Sequence, residues 1–182
     1  MVQFIDLWRG HPVNESVMTP CLAPNDLTNV QGEAVGAGLP VFHNQCAIRM
    51  GTALRRAGVT ISELGKIATC GVHPAADLHT LNANQLANAI RRANLPGFGE
   101  LEIISGADVR QFYPKLFGRT GVLYIQDYWM RTSDQPGQPT GDHIDVWNGY
   151  RSSAKWLMEW FSWAGYYSNY ANAREIWFWE VK

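Results

Sequence analysis

Apolar residues recur at helical spacing through Ala47, Met50, Ala53, Leu54 and Ala57, which predicts a helix over roughly 44–57, with Asn44 as its N-cap and Gly58 as a left-handed stop. A second amphipathic helix is expected to carry Leu86, Ala89, Ile90 and Ala93, capped by Asn82 or Asn84 and ended by Pro96-Gly97. Asp108 to Phe117 reads as a third helix, short or kinked at Pro114. Ahead of these, Phe4, Ile5, Leu7 and Trp8 suggest one short helix, followed by a loop-rich stretch through Gly38. From Gly121 the pattern changes. Val122 to Trp129 is β-branched and aromatic and reads as a central strand, and a Pro/Gly-rich connection leads to a second strand over 143–147. Asn148-Gly149 is the strongest hairpin signal, followed by a Trp-rich helix near 154–163 and a final strand from Ile176 to Val181. Helices first and antiparallel strands afterwards predict an α+β fold, and 182 residues suit one domain, 1–182.

Composition narrows the function. Fifteen basic and sixteen acidic residues leave a formal net charge of -1, which offers no field for capturing nucleic acid or an anionic membrane surface. No run approaches the roughly eighteen apolar residues of a membrane span, and the start Met1-Val2-Gln3-Phe4 lacks the basic stretch of a secretory signal. Eight Trp, seven Tyr and seven Phe are a heavy aromatic load that crowds into the last third, where such rings pack cores and also line clefts.

The candidate chemistry lies in two distant segments, Asn44-Gln45-Cys46-Ala47-Ile48-Arg49 and Gly141-Asp142-His143-Ile144-Asp145-Val146-Trp147. The first puts a cysteine in the first turn of a helix, and the second puts a histidine on a strand. A thiol becomes a nucleophile where its thiolate is stabilised, and a helix N-terminus and an adjacent imidazole are two common ways to do so. Cys46 is therefore the candidate nucleophile and His143 its base. Asp145, two residues along the strand, shares the face of His143; it either holds the imidazole or supports the Asn148-Gly149 hairpin. Asp142 and Asp127 are weaker candidates for that third position. Cys21 and Cys70 are left as one possible disulfide or as two buried thiols. This chemistry requires no cofactor and no metal. His73 and His79 lie six apart, without an HExxH or paired CxxC pattern, and read as surface or loop residues.

Four motifs in order, Asn44 to Arg49, Gly118-Arg119-Thr120-Gly121, Gly141 to Gly149, and the ending Glu175-Ile176-Trp177-Phe178-Trp179-Glu180, resemble the fourth family of type VI secretion amidase effectors. The resemblance runs from about residue 40 to the C-terminus. It implies a papain-like, NlpC-type cysteine peptidase fold, with N-terminal helices packed on a central antiparallel sheet. It also implies an antibacterial peptidoglycan amidase that cleaves the D-glutamyl–diaminopimelate bond of stem peptides. Cys46 and His143 fall on the family's nucleophile and base, whereas the acid usually found just after the histidine hairpin is missing from Tyr150-Arg151-Ser152-Ser153-Ala154, which leaves Asp145 as the substitute.

The same resemblance implies a cognate immunity protein, a type VI carrier protein, and synthesis in the producer's cytoplasm with delivery, without a signal peptide, to the target cell's periplasm. Two other readings share some of these residues. An acyltransferase on a related fold would keep Cys46 and His143, and a non-catalytic wall-binding module would explain the aromatic tail but neither of those residues.

Overall fold

The computed structural model describes residues 1–14, 19–153 and 170–182, which form two compact units, Met1–Pro96 and Gly97–Lys182. The expected Trp-rich helix near 154–163 lies outside the described residues.

The first unit is mainly helical. α1 (Phe4–Gly10) packs against α2 (Cys46–Arg56), and the Arg56 guanidinium donates to the carbonyl of Gly10 at 2.9 Å. α2 buries Ala47, Ile48, Met50, Gly51, Thr52, Ala53 and Leu54, most of its circumference. It stops where Gly58 turns left-handed at φ +91°, so that the amides of Gly58 and Val59 reach back to the carbonyls of Arg55 and Leu54. α3 (Ile61–Leu64) opens on a capping box between Thr60 and Glu63. α4 (Ala83–Ala93) is capped by Asn82, whose side chain accepts the amide of Gln85 at 2.9 Å; of the two candidates, Asn82 is the cap.

The loop-rich stretch between α1 and α2 is more ordered than its composition suggests. β1 (Leu27–Thr28) and β2 (Ala34–Val35) form a small antiparallel ribbon. The Asn29 side chain closes its turn by accepting the amides of Gln31 and Glu33 at 3.0 Å each. Cys21, Ala23, Val41, Phe42, Ile48 and Cys70 form a buried cluster in this unit.

The second unit is a four-stranded antiparallel sheet of order β3-β6-β4-β5, built from β3 (Phe98–Ser105), β4 (Gly121–Trp129), β5 (Gly141–Trp147) and β6 (Glu175–Val181). β3 had no counterpart in the sequence pattern. The expected third helix is split into a 3-10 stretch, Gly106–Gln111, and α5 (Phe112–Leu116). Pro114 sits in the first turn of α5, where its missing N–H has no partner to lose.

Leu116, Leu123, Ile125, Trp147, Ile176 and Phe178 pack together in the core of this unit, and the Trp147 indole N–H donates to the carbonyl of Leu116 at 3.0 Å. Arg119 reaches Glu102 at 2.8 Å and Glu180 at 3.1 Å and lies over the Phe178 ring, so it ties the start of β4 to β3 and β6. Gly121 follows because a Cβ there would stand 2.1 Å from the Trp179 carbonyl. The Gly118-to-Gly121 motif therefore serves the sheet.

Candidate active site

Cys46 is the first residue of α2 and is half-buried. Its amide points to the Asn44 side-chain oxygen at 3.4 Å, a long contact for a cap, while the residue in the cap position proper is Gln45. The Gln45 amide nitrogen donates to the carbonyl of Phe42 at 2.6 Å, which pins the approach to the helix. The next residues are held from the other side. The Thr80 hydroxyl donates to the carbonyl of Ala47 at 2.8 Å, and Gly51 lets the Leu78 carbonyl approach so closely that a Cβ would stand 1.9 Å from it.

His143 and Asp145 lie on β5, opposite Ile125 and Leu123 of β4, and strand alternation places both on one face. Asp145 Oδ2 lies 3.4 Å from His143 Nε2, with both residues buried. The other carboxylate oxygen accepts the amide of Val146 at 2.8 Å and the Ser153 hydroxyl. Around the imidazole, the Tyr170 ring is nearly parallel at 6.4 Å and the Tyr128 ring lies at 6.2 Å.

The Asn148-Gly149 turn is closed by its own residues. Asn148 Oδ1 accepts the amides of Tyr150 and Arg151 at 3.0 Å each, Gly149 sits at φ +93°, and Ser153 returns to pair with the Val146 carbonyl at 3.2 Å. That return is what brings the Ser153 hydroxyl to Asp145. Neither Ser153 nor Tyr170 carries a local sequence signal, because both reach β5 only through the turn and the tertiary fold.

Asp142 and Asp127 are engaged with each other. β4 breaks register between Ile125 and Trp129, Asp127 takes φ +51°, and its amide donates to Asp142 Oδ1 at 3.1 Å. Asp127 also pairs with Arg174 at 3.2 Å. Burial holds the Asp142 carboxyl above the usual range, and the Asp127 charge adds to this against the Asp127 amide bond.

His73 and His79 do lie in loops, as one of the two readings had it, but they are not surface residues. His79 is buried and His73 is half-buried; His73 turns Nδ1 toward the sulfurs of Cys21 and Cys70, His79 turns Nδ1 toward that of Cys70, and both cysteines are free thiols. The four side chains come from two separate stretches of chain, so no single spacing announces them.

The chain matches the family model of the type VI secretion system amidase effector protein 4 over residues 42–179. No curated protein matches it. Among solved structures it is similar to the effector–immunity system Tae4/Tai4 from Salmonella typhimurium, with a TM-score of 0.61 and 15% identity, covering 100% of this chain and 99% of that one. At that identity the likeness speaks for the fold, α+β of the papain-like NlpC type, which the helical first unit and antiparallel second unit match. The family match spans well over half of the sequence, and the chain belongs to the type VI secretion amidase effector 4 family, antibacterial peptidoglycan amidases that act as cysteine-type DL-endopeptidases.

Proposed function

We propose that residues 1–182 act as a single amidase domain in which Cys46 is the nucleophile, His143 its base and Asp145 the residue that positions the base. The observation that carries this is the pairing of Asp145 Oδ2 with His143 Nε2 on β5. With the Nε2–H donated to a buried carboxylate, Nδ1 is the nitrogen that takes the thiol proton, and the carboxylate stabilises the imidazolium that results.

The Cys46 thiolate adds to the carbonyl carbon of the D-glutamyl residue, and the negative charge that develops on oxygen meets the backbone amides at the start of α2. Collapse of this intermediate breaks the C–N bond, and the diaminopimelate amine leaves with the proton from His143. Water then adds to the thioester, His143 accepts its proton, and the D-glutamyl carboxylate is released with the thiol restored. The Asn44 contact to the Cys46 amide is long enough to yield to the oxyanion.

The effector acts in the periplasm of a target cell, where its substrate lies, after delivery by a carrier of the secretion machine. A cognate immunity protein in the producer binds the effector and covers Cys46. The Salmonella effector–immunity system, which shares the fold, supports this reading.

Digestion of purified sacculi with the full chain, followed by mass spectrometry of the products, tests the activity. A new free amine on diaminopimelate is expected, and none with Cys46→Ala. Binding without turnover, or transfer of the D-glutamyl group to an added amine in preference to water, would overturn the hydrolase reading in favour of a wall-binding module or an acyltransferase.

A further inference from the structure

We propose that Cys21, Cys70, His73 and His79 form a closed, tetrahedral zinc site that braces the two segments flanking the nucleophile helix. The donor atoms of the four side chains all lie within 4.8 Å of one another. Nδ1 of His73 stands 3.4 Å from the Cys70 sulfur and 3.6 Å from the Cys21 sulfur, and Nδ1 of His79 stands 3.9 Å from Cys70. Ordinary Zn–S and Zn–N lengths in a tetrahedron give ligand–ligand edges of about 3.3–3.8 Å, so the three pairs above already stand near coordination spacing and the widest pair closes by about 1 Å.

The chemistry of the set is that of zinc. Two thiolates and two neutral imidazoles are borderline-soft donors, and with a divalent ion they make a site of zero net charge. That neutrality matters because both cysteines are fully buried in the cluster with Val41, Phe42 and Ile48. The His73 amide donates to the Cys70 sulfur at 3.3 Å, a contact that stabilises thiolate character. A disulfide between Cys21 and Cys70 would leave unexplained why two imidazoles aim Nδ1 at the Cys70 sulfur. Binding Zn2+ releases one proton from each thiol to solvent, and the ion takes the lone pairs of two Sγ and two Nδ1 atoms. Four protein ligands leave no open position, so the role is structural.

The backbone shows what such a site would hold. Cys21 and Ala23 pair with the segment 39–41, through Val41 N to Cys21 O at 3.0 Å and Ala23 N to Leu39 O at 2.8 Å, and that segment runs directly into Gln45-Cys46. Cys70 faces His79 through Cys70 N to His79 O at 2.9 Å, and the adjoining Thr69 and Thr80 are bridge partners. Thr80 in turn holds the carbonyl of Ala47. One ion would thus tie the approach to Cys46 to the loop that grips the residue after it.

The test uses the full chain, purified under reductant from cells grown with zinc. Elemental analysis is expected to give one zinc per chain, a strong chelator should remove it and lower the melting temperature, and Co2+ added to the stripped protein should give thiolate-to-metal charge-transfer and tetrahedral ligand-field bands. His73→Ala removes a half-buried ligand and should weaken Zn2+ binding by more than the roughly 10- to 100-fold that loss of an outer-shell partner costs. Three results would overturn the site. They are zinc-free protein that gives no cobalt bands, unchanged zinc affinity in His73→Ala, and a Cys21–Cys70 disulfide mapped in protein recovered from the producing cells.

Discussion

Asp145 divides its carboxylate between two tasks, turning Oδ2 to His143 Nε2 at 3.4 Å and Oδ1 to the Ser153 hydroxyl and the Val146 amide. In the proposed site this makes Asp145 the acid that positions the base, with Ser153, from beyond the hairpin, bonded to that acid. Asp145→Asn keeps the volume but loses the charge that stabilises the imidazolium. Turnover per folded molecule is expected to fall on the order of 10³–10⁴-fold, with a smaller loss in Ser153→Ala. Steady-state kinetics on muropeptides, scaled by the folded fraction from thermal melts, checks this; near wild-type turnover in Asp145→Asn would place the third residue elsewhere.

Cys46→Ala removes a half-buried thiol at a helix start and should abolish wall hydrolysis with little change in melting temperature. Substantial residual activity at an unchanged melting temperature would remove Cys46 from the mechanism.

Gly51→Ala and Gly58→Ala separate two reasons for a glycine. At Gly51 a Cβ meets the Leu78 carbonyl, so α2 or the Leu78 loop must move, at a cost of about 3 kcal/mol. At Gly58 nothing stands within 4 Å of a Cβ, and only the φ of +91° is unfavourable, at about 1–2 kcal/mol. Urea unfolding should rank Gly51→Ala as the less stable variant, and the reverse order would contradict the close approach.

Asp142 gives a pH dependence opposite to that of a salt-bridged acid. Its folded pKa is raised, first by burial and then by Asp127, so the folded chain holds more protons than the unfolded one over the window upward from 3.8. Its contribution is therefore present below that window and lost as pH rises through the folded pKa. Asp142→Asn keeps an acceptor for the Asp127 amide and removes the penalty. The variant should melt higher than the parent at pH 7, with the difference shrinking near pH 4.

What the sequence made legible was local. α2, α4, β4, β5 and β6 carry their own periodicity and punctuation, and Cys46, His143 and Asp145 stand at the helix start and on the strand face expected of them. β3 was not legible because its register shifts between Phe98 and Leu101, where Gly99 lies close to the Glu180 backbone, and this breaks the alternation a strand should show. The register break at Asp127 was likewise not legible, because Gln126-Asp127 is only a brief polar interruption in a β-branched and aromatic run. The cluster of Cys21, Cys70, His73 and His79 escaped notice because the spacing from Cys70 to His79 matches no familiar zinc pattern and Cys21 comes from far upstream. Only the pairing of 68–70 with 79–81 turns that spacing into proximity.

The contact between Gly51 and the Leu78 carbonyl also defines a signature for recognising kin. A helix gripped in this way needs a bare backbone five positions after Cys46, where a side chain of any size is ruled out. Diverged effectors that keep a glycine at that offset can be expected to keep the gripping loop as well. A chain with a bulkier residue there should have rebuilt the loop, and with it the means by which the helix that starts at the cysteine is held in place.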